Sequence, residues 1–285
     1  MLVVLCWLAY GLLTYFWQSL GWLFLVPAGG FVLCLYGSLQ HEAVHGHPTR
    51  YSLINEALVS LPIGVLFPYR RYKILHTIHH NNDHLTDPTR DPESSYLEPQ
   101  IWDGLPLPIR WLYTLNNTLL GRLLIGPAIT AVRFLSAEVR SIMKGDIKIA
   151  AVWTVHLIGL ALVWTWVVGV CGMPAWQYLM GMAYWGLSFT LLRSFAEHRA
   201  HDRTSGRTIV VESNPLVSLM FLNNNLHMAH HERPGLAWYL LPSYYRENKD
   251  RLLHDNCGYL IKGYRRLFAD FALTPKEPVA HPLPD

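Results

Sequence analysis

Residues 1–40 contain no Asp, Glu, Lys or Arg, and neither do residues 149–192. Each run is about twice the roughly 20 residues that an α-helix needs to cross a bilayer, so each predicts a hairpin of two membrane-spanning helices. Gln18-Ser19 with Gly21 interrupts the first run and sets spans over 2–17 and 22–40. The second run breaks at 169–174, between spans over 150–168 and 175–193. The fold expected is an all-α integral membrane protein: one domain over 1–285, four transmembrane helices in two hairpins, and a helical cap built from 41–148 and 194–273. The Pro-rich stretch 274–285 is expected to be disordered.

All 23 Lys and Arg lie in 50–148 or 193–276, the segments that follow the hairpins. An even number of crossings returns the chain to one side each time, and the positive-inside rule makes that side cytosolic. The cap, and any site on it, is therefore expected on the cytosolic face of a membrane, the inner membrane in a bacterium. A formal charge of +3 distributed in this way reads as orientation in a membrane and argues against nucleic acid as a partner. The four cysteines form no C-x-x-C pair, which leaves no disulfide framework, iron–sulfur cluster or zinc ribbon to expect. The first apolar run has no basic leader and no small-residue cleavage site, so it reads as a retained span.

Within the cap, residues 52–69 are apolar but contain Glu56 and Pro62, which predicts a re-entrant or interfacial helix. Arg70, Arg71 and Lys73 read as anchors at the interface, or as contacts to an anionic head group. From His84 to Pro108 the chain is rich in Asp, Pro and Ser and reads as a loop. Asp83 beside it and Asp87 and Asp91 within it are either solvated carboxylates or acceptors standing behind histidines. Residues 109–145 mix aromatic and apolar positions with spaced arginines, the pattern of amphipathic helices lying in the interface.

Three histidine clusters stand on this frame: His41-Glu42-Ala43-Val44-His45, His76-Thr77-Ile78-His79-His80 and His227-Met228-Ala229-His230-His231. On a helix, positions i, i+3 and i+4 share a face, so each cluster projects its imidazoles together. Mostly-imidazole shells suit iron, zinc, copper and nickel. Eight such nitrogens exceed the capacity of one four-coordinate zinc ion, so two metals are expected. His47 and His84 flank clusters, and His198 and His201 share a helical face after the fourth span. His156 lies inside the third span and reads as a packing residue; His254 and His281 read as surface residues.

The first cluster also spells H-E-x-x-H, in which two helical histidines bind zinc and the glutamate is the general base of a metallopeptidase. An intramembrane zinc metallopeptidase needs only one further ligand and leaves two H-x-x-H-H clusters without a role. A metal transporter would carry its ligands within the spans, near the midplane.

The three boxes, in this order and on a four-span frame, resemble the membrane fatty acid desaturase and hydroxylase superfamily, whose pattern is H-x-x-x-H, then H-x-x-H-H, then a late H-x-x-H-H. The resemblance covers most of the chain. It implies a non-haem di-iron centre with two iron ions and O2 as co-substrate, acting on an unactivated carbon chain. Its ligands carry over onto His41 and His45, onto His76, His79 and His80, and onto His227, His230 and His231. A further ligand follows the fourth span in the family, where Glu197-His198 looks similar, with His201 as the alternate. Asn223-Asn224-Asn225 resembles the family's polar approach to the third box. The implied activity is a desaturase placing a double bond in a fatty acyl chain or similar amphipathic molecule. A hydroxylase or ketolase of an aliphatic or isoprenoid chain is the alternative. The physical case agrees: breaking an aliphatic C–H bond requires an oxidant made from O2, which redox-inert zinc does not form. No H-P-G-G of a fused cytochrome b5 and no G-x-G-x-x-G occurs, so electrons are expected from a separate donor. A ferredoxin, a rubredoxin, or cytochrome b5 with its reductase would serve. The other expected partners are a lipid-like substrate and the membrane lipids.

Overall fold

A computed structural model describes residues 1–283. The chain is mostly helical and divides into two compact units, one of Met1–Ile74 with Pro127–Thr190 and one of Leu75–Gly126 with the remainder from Leu191.

The first unit holds the apolar helices. Two of them, Trp22–Val44 and Ile147–Val170, are long and apolar enough to cross a membrane. Leu2–Tyr15 is apolar but shorter, and the run from Ala175 to Glu197 passes through a π-helical turn at Leu179–Ala183. The predicted span 22–40 continues as helix to Val44 because no breaker intervenes before Gly46, whose φ is +93°; His41 therefore stands on the same helix as the apolar run. Along Ile147–Trp164 only Ile149, His156 and Val163 are buried, whereas Val155, Leu157, Ile158 and Leu162 are exposed. An apolar face left outward in this way is the surface a lipid phase would cover.

Glycines admit close helix packing in this unit. A Cβ at Gly29 would stand 2.5 Å from Met182 Cγ, and one at Gly186 2.5 Å from Leu33 Cβ. Packing of backbone against side chain is what holds apolar helices together where no hydrophobic effect operates between them.

The expected helix over 52–69 is shorter, Ser52–Val59, because Pro62 and Gly64 follow. Irregular backbone in apolar surroundings must have its carbonyls satisfied by protein groups. Five side chains do this: Trp7 Nε1 donates to Leu58 O (3.2 Å), Gln40 Nε2 to Val59 O (2.9 Å), Tyr36 OH to Leu61 O (2.7 Å), Tyr178 OH to Ile63 O (2.6 Å) and His156 Nε2 to Val65 O (2.8 Å). His156 is thus a packing residue with a defined partner, as expected from the sequence. Arg71 is not a free interfacial anchor. Its Nε lies 2.8 Å from Glu138 Oε2 and its guanidinium nitrogen 2.7 Å from Oε1, while Trp153 Nε1 donates to Oε2 (2.9 Å).

The second unit is built from shorter helices and a two-stranded parallel sheet, Val210–Val211 with Leu260–Ile261. Its core includes Val210, Leu226, Ala229, Leu241, Tyr245 and Leu252. The stretch expected to be disordered is ordered as far as it is described. Leu97 N donates to Val279 O and His281 N to Leu97 O, both at 2.9 Å, and Leu97 forms a parallel bridge with Ala280. Proline content removed donors without removing order, because the neighbouring loop supplies the hydrogen bonds. Positions 284 and 285 of the predicted disordered stretch lie outside the described residues.

Candidate metal centre

The second unit carries seven of the nine predicted ligands. His76, His79 and His80 occupy the last turns of helix Tyr69–His80, at the i, i+3, i+4 spacing that turns them to one side. His227, His230 and His231 repeat this on the six-residue helix His227–Glu232. His198 follows the last residue of helix Tyr184–Glu197 and is held by a bridge to Thr208.

The approach to the third box is fixed by its asparagines. Leu222 and Asn223 take left-handed backbone (φ 49° and 59°), a conformation Asn tolerates better than most residues. Asn223 Nδ2 donates to Trp238 O (2.9 Å) and Asn225 Nδ2 to Val211 O (2.7 Å). Asn224 alone of the three meets an imidazole, accepting from His227 Nδ1 at 3.0 Å.

The imidazoles gather in two groups. In one, the ligand atoms of His79, His198, His227 and His231 all lie within 4.8 Å of one another. His198 Nε2 is 3.2 Å from His79 Nε2 and 3.0 Å from His227 Nε2, and His231 Nε2 is 3.1 Å from His227 Nε2. In the other, His76, His80 and His230 meet the same limit, with His230 Nε2 at 3.1 Å from His80 Nε2. The rings of His80 and His231 stack at 4.3 Å and 19°, which sets the two groups side by side. The first unit holds the other two predicted ligands. His41 and His45 lie at the end of Trp22–Val44, one turn apart, with ring centroids separated by 4.8 Å.

Carboxylates hold the outer nitrogens. His79 Nδ1 donates to Asp91 Oδ1 and His76 Nδ1 to Glu93 Oε1, both at 2.8 Å. Asp91 is itself fixed by Thr86 N (2.9 Å) and Glu93 N (3.0 Å). Of the three loop aspartates, Asp91 therefore stands behind a histidine, while Asp87 closes its own turn through Thr89 and Arg90. Glu93 stands outside the set of residues expected from the sequence. The available signal was its place two residues after Asp91, where the Asp91 side chain takes the Glu93 N–H and turns the second carboxylate the same way. Glu197 is buried behind His227, 3.4 Å from its Nδ1, and is paired with Arg193 at 2.9 Å.

His201, the alternate to His198, takes no part in either group. Its Nδ1 accepts from Arg203 N at 3.1 Å, and its ring covers Gly206. His84 is exposed beside Arg90, and among the described residues neither it nor His47 belongs to a ligand group.

Protonation follows from burial and from these carboxylates. Burial, and then the neighbouring His79, hold His198 down to about 3. Burial, followed by adjacent histidines, pushes His227 and His231 well below the ordinary imidazole value. For His79 burial opposes charge, but Glu93 and Asp91 outweigh it and raise the group to about 9. Burial raises Glu197. Burial also works against charge on Glu93, but His76 and His79 outweigh it and hold that carboxyl low. Among His79, His198, His227 and His231, burial thus disfavours charge on three imidazoles while two carboxylates favour it on His79, and a metal cation at Nε2 would take the place of that proton.

The donor set fits such an ion. Once the Nδ1 atoms of His79 and His227 donate outward, their Nε2 atoms present lone pairs, and both face His198 Nε2, which carries at most one proton. Ligand nitrogens about 2.1 Å from a shared metal stand about 3.0–3.4 Å from their neighbours. The observed separations of 3.0 to 3.2 Å fall in that interval. Outward hydrogen bonds from metal-binding histidines to carboxylates orient the ring and raise its basicity. Asp91→Asn leaves one amide oxygen where two carboxylate oxygens accept from His79 and Thr86. The NH2 then opposes one of those N–H groups, and the change is expected to lower metal affinity about 10–100-fold, read as metal retained against a competing chelator. Asp87→Asn, which touches no imidazole, is the matched comparison and should retain metal as the parent does.

A protein-family model described as fatty acid desaturase matches residues 2–262 of the 285. The comparison with curated proteins yields no match.

Proposed function

Because the chain belongs to the fatty acid desaturase family, we propose that it is a di-iron desaturase acting on a fatty acyl chain or similar amphipathic molecule. Family membership carries an oxidoreductase activity in lipid metabolism, and the two apolar helices agree with a membrane protein. The observation that supports the finer reading most is the convergence of seven buried or half-buried imidazoles in two adjacent groups, with their outer nitrogens tied to Asp91, Glu93 and Asn224. A peptidase has no use for such a set. The iron ligands proposed are His41, His45, His76, His79, His80, His198, His227, His230 and His231, with His41 and His45 assigned by the family pattern. The four-span arrangement with the site on the cytosolic face is part of the same proposal, and the one-sided distribution of Lys and Arg supports it.

When bound, the iron pair supplies the O2-derived oxidant that breaks an unactivated C–H bond. The protein's own part is orientation and exclusion. Asp91 and Glu93 hold His79 and His76 with Nε2 inward, Asn224 does so for His227, and burial keeps His198, His227 and His231 neutral and available as donors. Desaturation removes two hydrogens from adjacent carbons and, with O2, two electrons and two protons, yields a double bond and two waters. The electrons come from a separate donor such as a ferredoxin, a rubredoxin, or cytochrome b5 with its reductase.

Expression in a host that supplies those electrons, followed by analysis of total acyl chains, tests the reading. A new double bond is the expected product, together with two irons per chain in the purified protein. A new hydroxyl with the same iron content would move the activity to hydroxylation on the same centre. One zinc per chain and no lipid product would overturn the proposal.

A further inference from the structure

We propose that residues 274–283 form a strap whose Lys276 is a positioning residue for His198; this rests on the reading of His198 as a metal ligand. The strap lies beyond residues 2–262, so the family match does not account for it. Helix Tyr184–Glu197 ends immediately before His198, and the last carbonyls of a helix have no partner within it. Lys276 supplies one. Its Nζ donates to His198 O (2.7 Å), to Ala196 O (3.4 Å) and to Tyr259 OH (3.2 Å), and Tyr259 OH in turn donates to Ala196 O (3.1 Å). Three acceptors surround the three protons that the Lys276 side chain carries when charged.

The strap is itself secured at both ends. Lys276 N donates to Asn117 O (3.0 Å), and Asn117 Nδ2 returns a bond to Glu277 O. Tyr96 OH donates to Glu277 Oε2 (2.9 Å) and accepts from Ala200 N (2.8 Å), so the backbone is pinned two residues before and two residues after His198. Further along, His281 Nε2 lies 3.2 Å from Thr86 Oγ1, and the N–H of Thr86 is one of the groups that fix Asp91. One strap thus reaches both the backbone of His198 and the loop whose carboxylate orients His79. The consequence is geometric: His198 Nε2 stands 3.0 and 3.2 Å from its neighbours, and a small rotation of its peptide unit would remove it from that set.

Cobalt(II), whose ligand-field bands report imidazole coordination, is the probe. The full chain is purified in detergent, stripped with chelator and titrated with Co2+. The parent chain is expected to take up two ions. Lys276→Met should weaken one of them about 10–100-fold and change the spectrum as His198→Ala does, while Lys276→Arg, which keeps a charged donor, restores it. The double variant Lys276→Met with His198→Ala should show no further loss. Two ions bound by Lys276→Met with parental affinity and spectrum would overturn the proposal. Should Lys276→Met not fold, Tyr96→Phe removes the acceptor of Ala200 N from the other side; an unchanged cobalt spectrum there is equally decisive against it. Failure of the parent chain to bind cobalt at all would instead strike the metal-centre reading, and the strap's role with it.

Discussion

His79→Ala is expected to abolish product formation. His79 is the most strongly supported imidazole of the centre: it is 1% exposed, its Nδ1 donates to Asp91 at 2.8 Å, and its Nε2 stands 3.2 Å from that of His198. Removing it deletes a ligand and also leaves the Asp91 carboxylate, 1% exposed in its side chain, without the histidine partner that balances its charge. Loss of a group that merely orients a ligand costs about 10–100-fold in metal affinity or activity, so loss of the ligand itself should exceed this. His230→Ala tests the other group in the same way, since His230 Nε2 meets His80 Nε2 at 3.1 Å. The measurement is acyl-chain analysis in whole cells beside iron content of the purified protein. Turnover retained by either variant would remove that residue from the ligand set.

Glu138→Ala should destabilise the first unit by about 3–5 kcal/mol, the usual result of removing one partner from a buried ion pair. Arg71 and Glu138 have side chains only 14% and 4% exposed, and Trp153 also donates to the carboxylate, so the substitution leaves a guanidinium and an indole N–H unsatisfied together. Arg71 sits on helix Tyr69–His80, which carries the second histidine cluster two turns further on. The loss should therefore appear both as a lower melting temperature in detergent and as lower yield of iron-loaded protein. Replacing both members, Arg71→Met with Glu138→Leu, should recover most of the stability, because two apolar groups leave no charge to solvate. A double variant no better than Glu138→Ala alone would show that the pair is not the source of the effect.

How much could be read before the structure depends on which interactions are local. The apolar runs reveal helices because a bilayer-length stretch without charge admits few other conformations. The boxes reveal their own geometry because i, i+3 and i+4 share a face of one helix. Sequence and structure differ where distant partners decide. The helix expected over 52–69 stops at Val59, since side chains from helices far away in sequence take over the carbonyls of the loop that follows. The choice between His198 and His201 was open because both lie on one predicted face. The bridge to Thr208 keeps His198 in place, whereas Arg203 N occupies His201. Asp91 and Asp87 look alike in a polar loop, and only the fold places one of them behind an imidazole.

The residue pattern alone determined that this chain carries long apolar helices, three histidine clusters and the signature of an oxygen-activating family, because periodicity and composition act within single elements. Tertiary structure decided which nitrogens meet, which carboxylates stand behind them, and that residues 274–283 are docked instead of loose. Those outcomes depend on hydrogen bonds between segments up to about 195 positions apart, such as His281 on Thr86, and no local rule encodes such a pairing.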